Sequence, residues 1–462
     1  MGTEQQPLRV AIVGSGPSGF YAVGDLLKDP DRKVEVDLYD RLPTPFGLVR
    51  AGVAPDHPKI KNVIKVYEKS AEDERFRFFG NVTIGEDIHH AELAERYHVI
   101  LYTFGARVDR QMGIPGEDLP GSHSATDFVA WYNGHPDYCD REFDLDCERA
   151  VVIGNGNVAM DVARMLSVSR EQIAKTDIAD HALEALADNP IREVVILGRR
   201  GPAQAAYTNP EVLELEALTI ADVNVDPEDA KLDPLSQKAL DGGMLDKTRR
   251  RNVEIVADYA AKQERMRDKQ ITLRFLRSPV EILGSDRVEG IVVARNELHR
   301  DADGAIRSRQ TTDRETIECG LVLRSIGYKG VPIEGVPFDE QHGTIPNNGG
   351  AVIDPATEKK IPGLYVAGWI KRGPSGVIGT NKRDAQETVG LILEDLAEGD
   401  LPERVDTDRD STEAWLLERV PDLVTYEGWQ RIDAAEKAAG EPDGRPRAKL
   451  ARWDELLAAA KG

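Results

Sequence analysis

Two glycine-rich turns constrain this chain more than any other feature of its sequence. The first lies in "VAIVGSGPSGFYAVGDLL", an apolar run followed by a turn and a helical pattern, where Gly14, Gly16 and Gly19 have the G-x-G-x-x-G spacing. In this motif the first glycine permits the turn, the second lets a pyrophosphate approach the backbone, and the third allows helix and strand to pack closely. The stretch therefore predicts a strand–turn–helix unit that binds a dinucleotide.

An acidic residue follows the first turn at about the interval that this motif requires. The segment "VEVDLYD" alternates between apolar and polar residues, as a strand does, and ends at Asp40, 26 positions after Gly14. A carboxylate near this position accepts a hydrogen bond from a ribose hydroxyl. Asp40 is therefore predicted to bind the ribose of an adenine dinucleotide.

The second turn lies in "RAVVIGNGNVAMDVARML". Gly154 and Gly156 occupy the first two motif positions, and Ala159 takes the third, which is an allowed variant. Apolar residues recur at helical spacing from Val158 onward, so the turn opens a helix with an apolar face. A single turn of this kind also fits an ordinary strand–helix loop. Two of them predict an α/β chain with two Rossmann-like nucleotide-binding domains.

The strand after the second turn ends in basic residues instead of an acid. In "EVVILGRRG", Arg199 and Arg200 stand where the first unit has its carboxylate. A carboxylate there would repel a 2′-phosphate, whereas a guanidinium group binds phosphate through two parallel hydrogen bonds. We therefore predict that the first unit binds FAD and that the second prefers NADPH to NADH. The alternative is that both arginines are solvated surface charges.

Composition excludes several classes of function. The 59 basic and 81 acidic residues give a net charge of −22, which argues against a nucleic-acid partner. The three cysteines, Cys139, Cys147 and Cys319, form neither a C-x-x-C pair nor a ligand set for a metal or cluster, so no metal site is predicted. The first strand-like run begins at Leu8, which leaves no room for a leader peptide, and no apolar run reaches the roughly 18–20 residues that span a bilayer. We expect a cytoplasmic protein that does not interact with membranes.

The order of these segments predicts one domain inserted into another. The strand "VILYTFGA" precedes the Pro/Gly-rich "GIPGEDLPG", a hinge into a second domain, and "LVLRSIGYKG" marks the return to the first. Residues 1–107 and 325–462 are predicted to form the FAD-binding domain, and residues 108–324 the NADP-binding domain. A charged, helix-rich extension without an interpretable motif begins at about residue 400.

Several longer segments carry a more specific resemblance. Together with both glycine turns, "LPTPFGLVRAGVAPDHPKIK", "GRRGPAQAAYTNPE" and "VAGWIKRGPSGVIGTNKRDA" resemble the adrenodoxin-reductase type of ferredoxin–NADP reductase, especially its bacterial members. The resemblance covers most of the chain in the same order. It implies a glutathione-reductase-like flavoprotein, a ferredoxin–NADP(+) reductase that takes hydride from NADPH onto FAD and passes electrons singly to a ferredoxin. That ferredoxin is expected to supply a cytochrome P450 or another oxygenase.

The resemblance also implies which residues form the two cofactor sites. Beside the glycines of the first turn, the FAD site is expected to contain Ser15, Asp40, Leu48, Val82, Trp369, Gly376, Val377 and Ile378. The NADP site is expected to contain Gly154, Asn155, Gly156, Asn157, Val158, Arg199, Arg200 and Glu211, with Arg110 near the phosphates and Gly376 at the nicotinamide.

Two further residues are implied to lie close to the reacting rings. These are His57 and Glu214, our candidates for proton handling and nicotinamide positioning. The periodicity of "HPKIKNVIKVY" through Ile60 and Tyr67 predicts a helix with His57 in its first turn. In "TNPEVLELEAL", Glu211 and Glu214 are three positions apart and share a helix face. Without the resemblance, a histidine and acids near helix starts have an ordinary structural explanation.

Two other functions fit the nucleotide motifs. One is an NADPH diaphorase that passes electrons to a quinone, and the other is a nucleotide-binding sensor without turnover. Because ferredoxins are acidic, as this chain is, ferredoxin docking predicts a local basic rim around the flavin edge. Its expected contributors are Arg50, Lys59, Lys371 and Arg372.

Overall fold

The structure is a computed structural model that describes residues 1–3, 6–262, 265–404 and 408–462. The strands of these residues are β1 (Leu8–Val13), β2 (Val34–Tyr39), β3 (Phe76–Gly80), β4 (Val99–Tyr102), β5 (Val108–Asp109), β6 (Ser122–Ser124), β7 (Arg149–Ile153), β8 (Glu193–Leu197), β9 (Ala221–Val225), β10 (Lys269–Arg274), β11 (Arg277–Leu283), β12 (Gly290–Arg300), β13 (Ile306–Glu318), β14 (Leu321–Arg324), β15 (Tyr328–Lys329), β16 (Asn347–Asn348), β17 (Ala351–Ile353), β18 (Lys360–Val366) and β19 (Val424–Thr425).

Helices connect most of these strands. They are α1 (Pro17–Leu27), α2 (Leu48–Ala51), α3 (Pro58–Lys61), α4 (Ile64–Ala71), α5 (His90–Arg96), α6 (Ala125–Tyr132), α7 (Asn157–Ser167), α8 (Arg170–Ile173), α9 (Asp180–Ala187), α10 (Asn209–Glu214), α11 (Pro227–Ala230), α12 (Pro234–Asp241), α13 (Lys247–Ala261), α14 (Trp369–Arg372), α15 (Ile378–Glu398), α16 (Arg409–Arg419), α17 (Tyr426–Gly440) and α18 (Trp453–Lys461). None of the helices in the described ranges combines the length and apolar character needed to cross a bilayer.

The chain divides into two compact units. Unit 1 comprises Met1–Val53, His57–Arg110 and Gly327–Gly462, and unit 2 comprises Ala54–Asp56 and Gln111–Ile326. The sequence-based boundaries after residues 107 and 324 lie three and two residues before these divisions. The assignment of Ala54–Asp56 to unit 2 has no counterpart in the sequence analysis. Which nucleotide each unit binds stays a prediction at this point.

Unit 1 is built on an eight-stranded sheet in the order β16-β17-β18-β4-β1-β2-β3-β19. The five central strands are parallel, and the strands at the two edges pair antiparallel. Val10 and Ile12 of β1 face one hydrophobic core with residues of α1 and α15, while Ala11 and Val13 face another with residues of α5 and α16. Burial on both faces explains why the central strands are continuous apolar runs.

Unit 2 contains a six-stranded parallel sheet in the order β6-β14-β7-β8-β10-β9. Val152 of β7 faces one core and Val151 the other, so this sheet is also covered on both sides. A separate antiparallel sheet is formed by β11, β12 and β13. The predicted α/β class, with a sheet of largely parallel strands in each unit, is thereby confirmed.

The extension after residue 400 is part of unit 1 in its described residues. It contains α16, α17 and α18. Its short strand β19 pairs antiparallel with β3, with Val424 opposite Gly80, and so completes one edge of the sheet.

The predicted helix that continues from residue 57 to Tyr67 is wrong. The structure has two helices, α3 and α4, and His57 is the residue that precedes α3. Ile60 is 41 % exposed whereas Tyr67 is fully buried, so the two residues do not share a buried face. Because α3 has only four residues, its dipole is weaker than that of the long helix expected from the periodicity.

Candidate nucleotide sites

The glycine turn of unit 1 has the geometry that a pyrophosphate requires. Gly14 has a φ of 110°, and a Cβ atom there would lie 2.6 Å from the backbone of Phe104, so this position requires glycine. A Cβ at Gly19 would lie 2.2 Å from the carbonyl oxygen of Gly14. At Gly16, by contrast, a Cβ would meet nothing within 4 Å. The helix α1 starts there without a side-chain cap, so its first N–H groups face this open space.

Asp40 lies beside the same turn. One of its carboxylate oxygens accepts hydrogen bonds from the backbone N–H of Ser15 at 2.8 Å and from the Ser15 hydroxyl at 2.5 Å. The other oxygen accepts from the N–H of Leu42, and the Asp40 carbonyl accepts from the N–H of Val82. Burial raises the pKa of Asp40 in spite of these bonds. The structure thus brings Ser15, Asp40 and Val82 together at the turn.

A second loop packs directly against this turn. The N–H of Phe46 donates to the carbonyl oxygen of Ser15, and a Cβ at Gly47 would lie 2.8 Å from the Cα of Gly16. Leu48 follows as the first residue of α2 and is 46 % exposed. The loop from Phe46 to Leu48 therefore forms a wall of the open space at the turn.

The second predicted group of FAD residues begins at the end of β18. A Cβ at Gly368 would lie 2.3 Å from the hydroxyl oxygen of Ser18 in α1, so the loop that leads to Trp369 passes close to the start of that helix. Trp369 stacks on Tyr328 with 5.8 Å between ring centroids. Val377 precedes α15 and donates its N–H to Thr380 Oγ1. Val377 is 52 % exposed, and Ile378 is the first residue of α15.

These features of unit 1 fit FAD. Gly16 leaves room for a pyrophosphate, and α1 supplies unbonded N–H groups to it. Asp40 has the acceptor oxygens for a ribose. In the described part of the chain, the buried indole Nε1 of Trp369 has no hydrogen-bond partner, which leaves a donor for a bound ring system.

The glycine turn of unit 2 repeats the arrangement of the first. Gly154 has a φ of 115°, and a Cβ there would lie 2.0 Å from the carbonyl oxygen of Ser325, while a Cβ at Gly156 would meet nothing within 4 Å. Asn157 Oδ1 accepts from the N–H of Thr208 at 2.9 Å. The buried Nδ2 of Asn155 has no partner in the described residues, so it is a donor available to a ligand. Val158 follows in the first turn of α7.

Two arginines, Arg199 and Arg200, follow the end of β8. Arg199 is exposed and Arg200 half-buried, and neither forms an ion pair with a carboxylate in the described ranges. Burial, together with the nearby charges of Arg199, Arg249 and Arg307, lowers the pKa of Arg200. Arg249 and Arg307 form ion pairs with Asp246 and Asp301, so the uncompensated charges are those of Arg199 and Arg200, which a 2′-phosphate would neutralise. These residues fit NADP and disfavour a ribose with free hydroxyls.

A buried arginine that the sequence analysis missed links the predicted acids of unit 2. Arg164 is 3 % exposed and donates to Asp56 at 2.5 and 3.0 Å and to Asp161 at 2.6 Å. Its Nη1 lies 3.8 Å from Glu211 and 3.9 Å from Glu214. Burial lowers the pKa of Arg164, but Asp161 and Asp56 outweigh burial and raise it. The only signal in the sequence is the i, i+3 spacing of Asp161 and Arg164 in the predicted helix.

The remaining predicted residues belong to unit 1. His57 is buried, with 8 % of its surface exposed, and its carbonyl oxygen accepts from the N–H groups of Ile60 and Lys61. Arg110 has an exposed side chain, and its backbone N–H donates to the carbonyl oxygen of Gly327. Gly376 has a φ of 81°, and a Cβ there would lie 2.6 Å from Thr380 Oγ1.

The predicted basic rim is wrong for most of its members. Arg50 is 9 % exposed and paired with the buried Glu436, and Lys371 is neutralised by Asp384 at 2.7 Å. Arg372 also contacts Asp384, at 3.2 Å. The sequence shows four basic residues but not their carboxylate partners. Of the four, Lys59 alone is exposed and without an ion pair among the described residues.

Known proteins resemble this chain over nearly its whole length. No family model matches the chain. The chain is 51 % identical over 460 residues to the NADPH-ferredoxin reductase FprA of Mycobacterium tuberculosis, and the aligned residues cover 98 % of this chain and 99 % of the relative. It is 41 % identical over 467 residues to the mitochondrial NADPH:adrenodoxin oxidoreductase of Arabidopsis thaliana, covering 98 % of this chain and 96 % of the relative. The solved structure of Mycobacterium tuberculosis FprA in complex with NADPH has a TM-score of 0.93 and 50 % identity, and covers 99 % of this chain and 100 % of that one.

Proposed function

The chain belongs to the NADPH–ferredoxin reductases, and we infer from this premise that it transfers hydride from NADPH to FAD and then single electrons to a ferredoxin. FAD, when bound, supplies the conversion between a two-electron donor and a one-electron acceptor. The protein supplies binding, orientation and electrostatics to the cofactors, and its residues determine which coenzyme is used.

The observation that carries this function is the unpaired charge at the end of β8. Arg199 and Arg200 have no carboxylate partner in the described residues, whereas the nearby Arg249 and Arg307 pair with Asp246 and Asp301. A folded protein rarely keeps such charges close together without an anion to offset them. The 2′-phosphate of NADPH is such an anion, and NADH lacks it.

We propose that the turn of unit 1 binds the FAD pyrophosphate. Gly16 leaves space for it, the N–H groups at the start of α1 donate to it, and Asp40 accepts from the adenosine ribose. Leu48 and Val82 contact the cofactor near this turn. Trp369, Gly376, Val377 and Ile378 act at the isoalloxazine end, where the N–H groups that begin α15 favour negative charge on the ring.

For NADPH we propose the corresponding arrangement in unit 2. Gly154, Gly156 and the residues of their turn bind the pyrophosphate, and the unpartnered Nδ2 of Asn155 donates to the nucleotide. Glu211 and Glu214 bind near the nicotinamide end, where the guanidinium group of Arg164 lies within 4 Å of both carboxylates. Arg110 belongs to unit 1, and its role at the phosphates stays a prediction.

His57 and Glu214 are proposed to touch the reacting groups. A buried histidine next to a flavin holds or moves a proton at a ring nitrogen, and a carboxylate orients the nicotinamide amide through hydrogen bonds. Each role predicts a loss in the rate of hydride transfer when the side chain is removed, with nucleotide affinity less affected.

The electron acceptor is an iron–sulfur protein of the ferredoxin type. We further propose that this ferredoxin supplies a cytochrome P450 or another oxygenase and that the reductase works in the cytoplasm. The comparison proteins support the acceptor class through their names as ferredoxin and adrenodoxin reductases.

The test is reduction of the purified, FAD-loaded protein under anaerobic conditions. NADPH is expected to bleach the flavin absorbance rapidly, and NADH slowly or not at all. A [2Fe–2S] ferredoxin should then be reduced in proportion to the NADPH consumed. Reduction of quinones without reduction of any ferredoxin would favour a diaphorase, and a protein that binds nucleotides without bleaching would favour a sensor.

A further inference from the structure

The loop that packs on the first glycine turn has a strained backbone. Phe46 has a φ of 83°, a region that residues with a side chain rarely adopt. Such a conformation persists only where the surroundings determine it, and it is common at ligand-binding loops. The ring of Phe46 is buried, with its centroid 5.2 Å from that of Phe20 and 6.1 Å from that of Tyr67.

One side of this loop determines the shape of the turn. Phe46 donates its N–H to the carbonyl oxygen of Ser15 at 3.0 Å, and Gly47 approaches Gly16 so closely that a Cβ would lie 2.8 Å from its Cα. A displacement of the loop would therefore change the space at Gly16. That space is where the proposed function places the FAD pyrophosphate.

The other side of the loop is held by the C-terminal extension. Arg50, four residues after Phe46, donates two hydrogen bonds to the carboxylate of Glu436 in α17, at 2.8 and 2.5 Å. Lys449 donates through Nζ to the carbonyl oxygen of Arg50 at 3.0 Å. The ring of Trp429 meets Phe46 edge-on at 5.6 Å, and the Arg50 guanidinium lies 5.3 Å from the same ring.

Glu436 is the centre of this attachment. It has no exposed surface, and besides Arg50 its oxygens accept from Arg447 at 2.9 Å and from the N–H of Leu450 at 2.9 Å. Burial by itself raises the pKa of Glu436, but Arg50 and Arg447 outweigh burial and lower it. The carboxylate is therefore ionised, and a buried carboxylate that binds two arginines has a defined geometry.

We propose that the C-terminal extension is part of the FAD site and that Glu436 is a positioning residue, which holds the loop 46–50 through Arg50 in the conformation that binds FAD. This inference rests on the proposed function, because it assumes that FAD occupies the first turn. When the attachment is weakened, the loop occupies other conformations for part of the time. The apparent affinity for FAD then equals the intrinsic affinity multiplied by the fraction of molecules that retain the binding conformation.

The test compares the native protein with Glu436→Gln after removal of FAD. The variant is expected to bind FAD about tenfold more weakly, as measured by quenching of flavin fluorescence, if the loop is in place in about a tenth of the molecules. Amide hydrogen exchange of residues 46–51 should be faster in the variant even without FAD. Binding of NADP+ to unit 2 should stay within about twofold of native.

The matched control is Asp395→Asn. Asp395 is a buried carboxylate of the same unit that binds the hydroxyl of Tyr365 and the amine of Lys360, and neither partner belongs to the loop. This variant should destabilise unit 1 but leave the FAD affinity and the exchange of residues 46–51 unchanged. An equal loss of FAD affinity in both variants would overturn the proposal, because the effect would then follow stability alone.

A second variant covers the case in which Glu436→Gln does not fold. Trp429→Leu removes the contact with the Phe46 ring and keeps the ion pair, and it should also weaken FAD binding and speed exchange of residues 46–51. Unchanged values for this variant would overturn the proposal. A native protein that binds no FAD would instead contradict the proposed function, whereas native binding together with native-like variants would refute only the present inference.

Discussion

The side-chain amide of Asn296 donates a hydrogen bond to the main-chain carbonyl oxygen of Arg199, with 2.8 Å between nitrogen and oxygen. The same amide donates to the hydroxyl of Ser278 at 2.8 Å, and Asn296 is only 2 % exposed. The N–H of Leu276 donates to the carbonyl oxygen of Arg200. The antiparallel sheet of unit 2 therefore supports the turn that carries both arginines.

Removing both arginines should abolish the preference for NADPH. For Arg199→Ala with Arg200→Ala we expect a loss of about 100-fold or more in kcat/KM for NADPH, since charge-assisted hydrogen bonds contribute roughly 1.5–3 kcal/mol each. The loss for NADH should be small. Steady-state reduction of ferricyanide with each coenzyme measures both values, and Arg309→Ala, an exposed arginine of β13, is the control. Equal losses for the two coenzymes would contradict the assignment of the 2′-phosphate site.

Replacing the supporting amide should have a smaller effect of the same kind. Asn296→Leu removes the donor to Arg199 and leaves both guanidinium groups in place, so the preference for NADPH should fall by about five- to tenfold, which corresponds to the roughly 1 kcal/mol of one hydrogen bond. The change should appear in KM for NADPH and not in kcat. Thr311→Val, which removes an exposed hydrogen bond to Arg295 between the neighbouring strands, should leave the preference unchanged.

Two glycines of the same turn should respond in opposite ways to alanine. Gly156 has room for a methyl group, so Gly156→Ala should keep the native Tm. It should weaken NADP+ binding by about tenfold or more, because the methyl group would occupy the proposed pyrophosphate position. At Gly154 the methyl group would lie 2.0 Å from the carbonyl oxygen of Ser325, on a backbone with positive φ. Gly154→Ala should therefore lower the free energy of unfolding by about 3 kcal/mol or more. Calorimetry measures the stability of both variants, and titration with NADP+ measures their nucleotide affinity. Native nucleotide affinity in Gly156→Ala would exclude this turn as the binding site.

Stability should decline in mild acid because of His98. Its Nδ1 accepts the N–H of Arg9 at 3.0 Å, and burial, followed by the charge of Arg404, lowers its pKa to about 4. An unfolded histidine titrates near 6.5. Between these two pKa values the unfolded chain binds more protons than the folded protein. The contribution of His98 to the free energy of unfolding is therefore complete above about pH 6.5 and is lost as the pH falls to about 4.

The variant His98→Asn isolates this effect. Asparagine keeps an acceptor for the Arg9 N–H but does not titrate. Between about pH 7 and pH 4, the free energy of unfolding should therefore decrease in both proteins, but by about 2–3 kcal/mol less in the variant than in the native protein. Urea unfolding across this interval measures the difference. Parallel pH curves for the two proteins would show that His98 is not the titrating group.

The local motifs made much of the fold predictable. The alternation in "VEVDLYD" indicated a strand that ends at Asp40, and the structure has β2 at Val34–Tyr39 with Asp40 directly after it. Both glycine turns lie between a strand and a helix as expected. These predictions succeeded because sheet burial and turn sterics depend on residues that are adjacent in the chain.

Contacts between distant residues were not predictable in the same way. Arg50 was expected at an exposed rim, but its partner Glu436 is 386 positions later, and nothing near Arg50 in the sequence indicates it. Arg164 was assigned no role from the sequence, although it binds Asp56, 108 positions earlier. The periodicity of a sequence shows which face of a helix or strand is apolar. It does not identify the oppositely charged residue that offsets the cost of burying a charged side chain.

The pairing of β19 with β3 has a consequence for biosynthesis. Val424 and Thr425, which add the last strand to the sheet of unit 1, leave the ribosome only after all of unit 2 has been synthesised. Domains that are complete early fold during translation, whereas an interrupted one waits for its final segment. Unit 2 is thus able to fold while the sheet of unit 1 still lacks its last strand. A chain truncated shortly before Val424 would be cleaved by proteases in unit 1, because that sheet would remain incomplete.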